Sequence, residues 1–172
     1  QIYVEVRLTT EVVNLVAAGF DLAIRATPGG LKDSSLTARR LGQIGMGFFG
    51  APSYFVRRGK PKQFGQEGHD WLLHTGARAA ASALRSGPAR VVCDDFLLLR
   101  NVAAEGLGVA MMPYRVATPL LEDGRLEEVT FAVAPPVVGN FFLVYPSSGE
   151  VPRKVIAFRD FLVDWLKKSP LA

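Results

Sequence analysis

Few side chains in this sequence carry reactive chemistry. His69 and His74 are its two histidines and Cys93 its one cysteine. Neither histidine stands in an HxxxH or HExxH pattern, the spacing that puts two imidazoles on one helix face for zinc, so no metal is expected. A nucleophilic thiol needs a base within hydrogen-bond reach. Nothing local supplies one, and Cys93 reads as a small buried residue. Asp94-Asp95 has the look of an acid–base or metal pair, yet a helix start explains it, because an Asp at that place accepts the first free backbone N–H groups. Gly45, Gly47 and Gly50 are set aside as a dinucleotide fingerprint, which must open a helix directly after a strand and whose third glycine is read here as out of spacing. There is no GxxxxGK[ST] phosphate loop and no GxSxG nucleophile elbow. These residues point to binding, with no cofactor and no catalysis expected.

Composition sets further bounds. Hydrophobic residues make up 49% of 172, with 11 Phe and 2 Trp, enough to build a core and too many for a disordered chain. The net charge is +4, but the cations are scattered in short pairs such as Arg39-Arg40, Arg57-Arg58 and Lys167-Lys168. A DNA-reading surface would cluster them on one element, so these read as solvated surface. A lone cysteine builds no disulfide framework, and a reducing, cytoplasmic setting is expected. No apolar run approaches the roughly 18 residues of a membrane helix.

The elements that must position these residues follow from periodicity. Ile2, Val4, Val6 and Leu8 alternate with polar neighbours as in a half-buried strand. Glu11, Val12, Leu15 and Val16 then follow helical spacing, with Thr10 as N-cap and Gly19 as stop. Leu22 to Ile24 is a second strand, and together these predict a parallel βαβ unit. Thr27-Pro28-Gly29-Gly30 is a loop. Leu36–Leu41 and Ile44–Phe49 read as two extended segments. Ser53–Arg58 is a short helix closed by Gly59. Trp71–His74 is a strand, and Ala79–Leu84 fits either helix or strand. Strands at Val91-Val92 and Val109–Met112 flank a helix capped by Asp94 or Asp95. A helix over 115–121, strands over 125–129 and 141–144, and an amphipathic helix beginning at Pro152 complete the chain. That last helix carries the stripe Val155, Phe158, Leu162, Trp165 and Leu166.

Several segments together resemble the C-terminal regulatory domain of LysR-type transcriptional regulators. They are Gly19-Phe20-Asp21-Leu22-Ala23-Ile24-Arg25, then Asp33 to Leu36, Ala38-Arg39-Arg40-Leu41 and Ala51-Pro52-Ser53-Tyr54. Asp94-Asp95 with Gly106-Leu107-Gly108-Val109-Ala110 and Pro113 continues the match, followed by Gly124-Arg125-Leu126, Val144-Tyr145-Pro146 and the helix from Phe158 to Trp165. The family domain opens with a further strand and helix before the position of Gln1, and its helix-turn-helix lies upstream of those, so the chain reads as an N-terminally truncated domain.

The resemblance implies an α/β, two-lobed periplasmic-binding-protein-like (type 2) fold with two crossover hinge strands. Lobe one would be 1–48 and 143–172, and lobe two 49–142. It also implies an effector-sensing domain that is not an enzyme. Its ligand would be a small carboxylate or aromatic metabolite in the inter-lobe cleft, coupled to the DNA-binding geometry of the whole protein. Thr9, Thr10, Thr27, Asp95 and Phe96 are the expected ligand contacts, at strand carboxyl ends and helix N-termini where free N–H groups suit an anion. The expected partners are a second copy, as homodimer or tetramer, and promoter DNA only through the absent helix-turn-helix; no membrane is expected. A periplasmic-type solute-binding protein for a small organic anion is the alternative.

Overall fold

A computed structural model describes residues 2–27, 35–77, 89–132, 138–147 and 150–168. The chain forms two compact units: Gln1–Ile44 with Val138–Ala172, and Gly45–Val137.

In unit two, β2 (Leu36–Gly50) enters with its last six residues, and α1 (Pro52–Arg58), β3 (Trp71–His74), β4 (Val91–Cys93), α2 (Phe96–Ala104), β5 (Val109–Pro113), α3 (Tyr114–Glu122) and β6 (Glu127–Val129) follow. β3 pairs in parallel with both β4 and β5, and β2 runs antiparallel to β5 and β6. Side chains alternate across this sheet and both faces are covered. Phe48, Trp71, Leu73, Val109 and Met111 join Tyr54 and Phe55 of α1 in one core, while Phe49, Leu72, Ala110 and Met112 join Leu99 and Ala103 of α2 and Ala117 and Leu120 of α3 in the other. Burial on both faces is why these strands read as continuous apolar runs. Phe48 is the centre of an aromatic cluster, with ring centroids 5.1 Å from Phe64, 6.2 Å from Trp71 and 4.8 Å from Phe131.

One close approach fixes the ladder. Tyr54 Oη accepts the Asp70 N–H at 2.7 Å, and burial holds the Tyr54 phenol above its ordinary pKa. Asp70 O accepts the Val109 N–H at 2.8 Å. A Cβ on Gly108 would stand 2.4 Å from that same carbonyl oxygen. The two expected segments of β2 are one strand of 15 residues, glycines included. Gly45, Gly47 and Gly50 do keep GxGxxG spacing, contrary to the expectation; all three lie within strand β2, before α1 begins at Pro52, so they form no loop that could cradle a phosphate. Gly45 and Gly47 lie under the ring of Tyr114, whose hydroxyl donates to Glu128.

In unit one, β1 (Ala23–Thr27) pairs antiparallel with β7 (Val138–Pro146), from Ala23 opposite Val144 to Thr27 opposite Asn140. The helix α4 (Arg153–Lys168) buries Val155 and Leu166, while Phe161 and Trp165 stay exposed. Lys154 reaches Asp21 at 2.7 Å, and Arg25 donates to Val13 O at 2.8 Å.

The N-terminal expectations fail. Residues 2–9 form no strand and 10–14 no helix; only 15–19 turn, ending at Gly19 with φ 70°. Val4, Val6 and Leu8 are exposed, so the stripe of α4 does not lie on them. A strand is stabilised by its ladder, and among the described residues 2–8 has no neighbour to pair with. A helix of two turns is marginal by itself in water. Leu15 alone of the expected helix is buried. The βαβ crossover expected there is found instead at β4–α2–β5, on either side of β3. Ala79–Leu84 lies outside the described residues. No helix among the described residues is long and apolar enough to cross a membrane.

Two outcomes test this account. Gly108→Ala should lose about 1–3 kcal/mol by overpacking. Gly124→Ala, with φ +67° and open space, should lose only about 1 kcal/mol; urea unfolding compares them, and equal losses would refute the role given to the close approach. The bond to Glu128 pushes the Tyr114 pKa up to about 12. A raised pKa means the contribution is complete below about pH 10 and lost as pH rises through about 12. Tyr114→Phe should therefore be less stable than the parent at pH 8, with the gap closing through that window.

Candidate functional site

The polar ends of unit two's parallel strands converge where β3 and β4 finish and α2 begins. His74 closes β3 and stands opposite Cys93, the last residue of β4, in the ladder. Asp95 is the N-cap of α2, in extended conformation at φ −120° and ψ 114°. Its Oδ1 accepts from the N–H groups of Leu97 at 2.6 Å and Leu98 at 3.0 Å. That cap satisfies donors the helix cannot satisfy itself and places charge at its positive end.

The Phe96 ring lies parallel to the His74 imidazole, centroids 4.2 Å apart and planes 15° apart. His74 Nε2 is 3.2 Å from Asp94 O, and its Nδ1 accepts the Gly76 N–H at 3.1 Å. A carbonyl oxygen only accepts, so Nε2 carries the proton and Nδ1 the lone pair. The imidazole is thus a neutral brace that ties the end of β3 to the Asp94–Phe96 turn. The Cys93 thiol donates to Asp95 O at 3.3 Å and stands half-buried, less enclosed than expected. This arrangement can hold a small polar acid beside an aromatic face. It contains no activated nucleophile.

Asp95 and Phe96 are brought together here with His74, which the sequence sets aside only as a metal ligand and whose stack on Phe96 the sequence does not show. A signal was available in its place at the end of an apolar strand, where ligands of α/β sheets bind. In unit one, Thr27 ends β1, half-buried, and Thr9 Oγ1 accepts the Glu11 N–H at 3.1 Å. Thr9 and Thr10 are exposed on irregular backbone. Thr10 caps no helix, because none forms. No group of three or more His, Cys, Asp or Glu among the described residues could hold a metal.

With this geometry in place, comparison with known proteins decides the family. The model of the LysR substrate binding domain matches residues 1–167. The chain belongs to that family. Among its relatives is a transcriptional regulator of the HTH type from Haemophilus influenzae, 28% identical over 164 residues, covering 90% of this chain and 56% of the relative. The activator AaeR of Escherichia coli is 29% identical, covering 88% and 52%. The chain therefore spans about half the length of the curated relatives it matches. Solved structures agree on the fold. The full-length virulence activator AphB of Vibrio cholerae superposes with TM-score 0.78 at 22% identity, over 95% of this chain and 58% of AphB. The CrgA regulatory domain of Neisseria meningitidis gives 0.77 at 23% identity, over 92% and 81%. The fold is that of LysR regulatory domains, periplasmic-binding-protein-like as expected, and the solute-binding alternative is not favoured.

The cap yields a prediction. Asp95→Ala should cost about 0.5–2 kcal/mol and Asp95→Asn a few tenths. Urea denaturation of both variants measures it, and an equal loss in the two would show that charge, not capping, is what Asp95 supplies.

Proposed function

We propose that this LysR-family domain is a sensor, not an enzyme, in a cytoplasmic transcriptional regulator, and that it binds a small carboxylate or aromatic acid. The observation that carries the reading is the junction of Asp95, Phe96 and His74. It offers an aromatic face at the carboxyl ends of parallel strands, beside a helix start whose Leu97 and Leu98 N–H groups Asp95 already caps. Thr27, at the end of β1, is proposed as a further contact. Thr9 and Thr10 are kept on the resemblance alone, since the helix that would have oriented them does not form. In the whole protein, effector binding would favour one arrangement of a dimer or tetramer and so re-space the DNA-binding heads. The names of the relatives, an activator among them, support a regulatory role.

A thermal-shift screen of small carboxylates and aromatic acids tests the proposal. A compound that stabilises the parent should bind Asp95→Ala and Phe96→Ala about threefold to tenfold more weakly, the worth of one hydrogen bond or ring contact. Thr118→Ala is the control, because Thr118 Oγ1 only donates to Tyr114 O within α3. If all three substitutions act alike, the site is elsewhere. If the screen yields no ligand while a nucleic acid does, the sensor reading fails.

A further inference from the structure

Arg39 and Arg40, the two cations of β2, play no part in the junction just described. With Lys167 of α4 they line a recess of roughly 180 Å³, whose other walls are Leu41, Val163 and Leu166. All six residues belong to unit one. Successive strand residues leave on opposite faces, so an edge is where both can reach one recess. β7 neighbours β2 on one edge, and on the other the pairing with β5 begins only at Met46, leaving that second edge without a partner strand beside Arg39 and Arg40 among the described residues.

The charge is unevenly matched. On α4, Lys154 pairs with Asp21, Arg159 with Asp160 and Lys167 with Asp164, each within 2.8 Å. Arg159, and secondarily Arg39, hold the Asp160 carboxyl below its ordinary pKa. Arg39 thus shares an acid already taken, and Arg40 forms no ion pair among the described residues. Positive charge is left over at the mouth of a recess with an apolar floor.

We propose that this recess is a second ligand site, separate from the effector junction, and that it takes a compact oxyanion of the phosphate or sulfate type. Two guanidinium forks present planar pairs of donors that match such an anion, while Lys167 at the rim is already paired with Asp164. Water occupies about 30 Å³ per molecule in the liquid, so the recess has room for one such anion and a few waters. Because Arg39 and Arg40 lie on β2, an anion here would engage the strand that continues into unit two.

The probe is inorganic phosphate, titrated at constant ionic strength against chloride, with melting temperature and calorimetry as readouts. The parent should show saturable stabilisation, with sulfate acting alike. Arg40→Gln and Arg39→Gln should each weaken the phosphate affinity about tenfold, and Arg40→Lys less. Arg153→Gln, in the first turn of α4 and outside the recess, should leave it unchanged. The proposal is overturned if the parent shows no saturable effect, or if Arg153→Gln loses it equally, which would mark diffuse charge screening. It is also overturned if Arg40→Gln lowers the melting temperature but keeps the phosphate affinity. In that case the arginines serve only the negative carboxyl end of α4.

Discussion

The close contact between Gly108 and Asp70 governs unit two. Only a residue without a side chain lets the Asp70 carbonyl come near enough to accept the Val109 N–H. That bond sets the register of β5 on β3, Trp71 opposite Val109 and Leu72 opposite Ala110. From the same register it follows which side chains enter which core, because a slip of one residue would exchange the two faces. Asp70 is held from its other atoms as well, by the Tyr54 hydroxyl on its N–H and by Arg90 at 3.1 Å on its carboxylate. A residue exposed by its charge is thereby the fixed point of a buried ladder.

The site inherits this register. β3 ends at His74 and β4 at Cys93 because their pairing starts at Leu72 opposite Val91. The turn from β4 to α2 must then pass the imidazole, and Asp94 O and the Phe96 ring both meet it there. The binding end is therefore held by backbone-directed bonds, not by ion pairs. Asp94 and Asp95 both place an acid at this turn, and one oxygen of Asp95 is already occupied by two N–H groups.

The sequence was most readable where local rules and packing agree. Asp95 at the start of α2, Gly59 after α1, Pro113 at the end of β5 and the stripe of α4 each gave a boundary that the structure keeps within a few residues. It misled where periodicity had no partner to act on. The alternation of Ile2, Val4, Val6 and Leu8 is a statement about one face, and a face becomes a strand only when a neighbour supplies the ladder. The place of Asp95 as the cap of α2 was legible because capping is local. The role of His74 was not, since stacking on a residue 22 positions away depends on the parallel pairing of β3 and β4. Thr9 and Thr10 were inferred from a helix, and they lose their geometry with it.

The glycines of β2 show how one pattern can mislead and inform at once. GxGxxG spacing suggests a phosphate cradle, yet in a strand the missing side chains serve the neighbours instead. A Cβ on Gly47 would stand 2.5 Å from the Phe49 ring and 3.0 Å from the Tyr114 ring. Bare backbone lets Tyr114 lie across the strand and reach Glu128 on β6, which itself pairs with Phe49. The second half of β2 is thus clasped by a ladder on each edge and by an aromatic ring above. Its first half carries Arg39 and Arg40 on an edge that β5 and β6 do not reach. One strand therefore carries the arginine pair in unit one and the glycine-rich stretch in unit two, and the change from one to the other falls at Ile44–Gly45, where the two units meet along the chain.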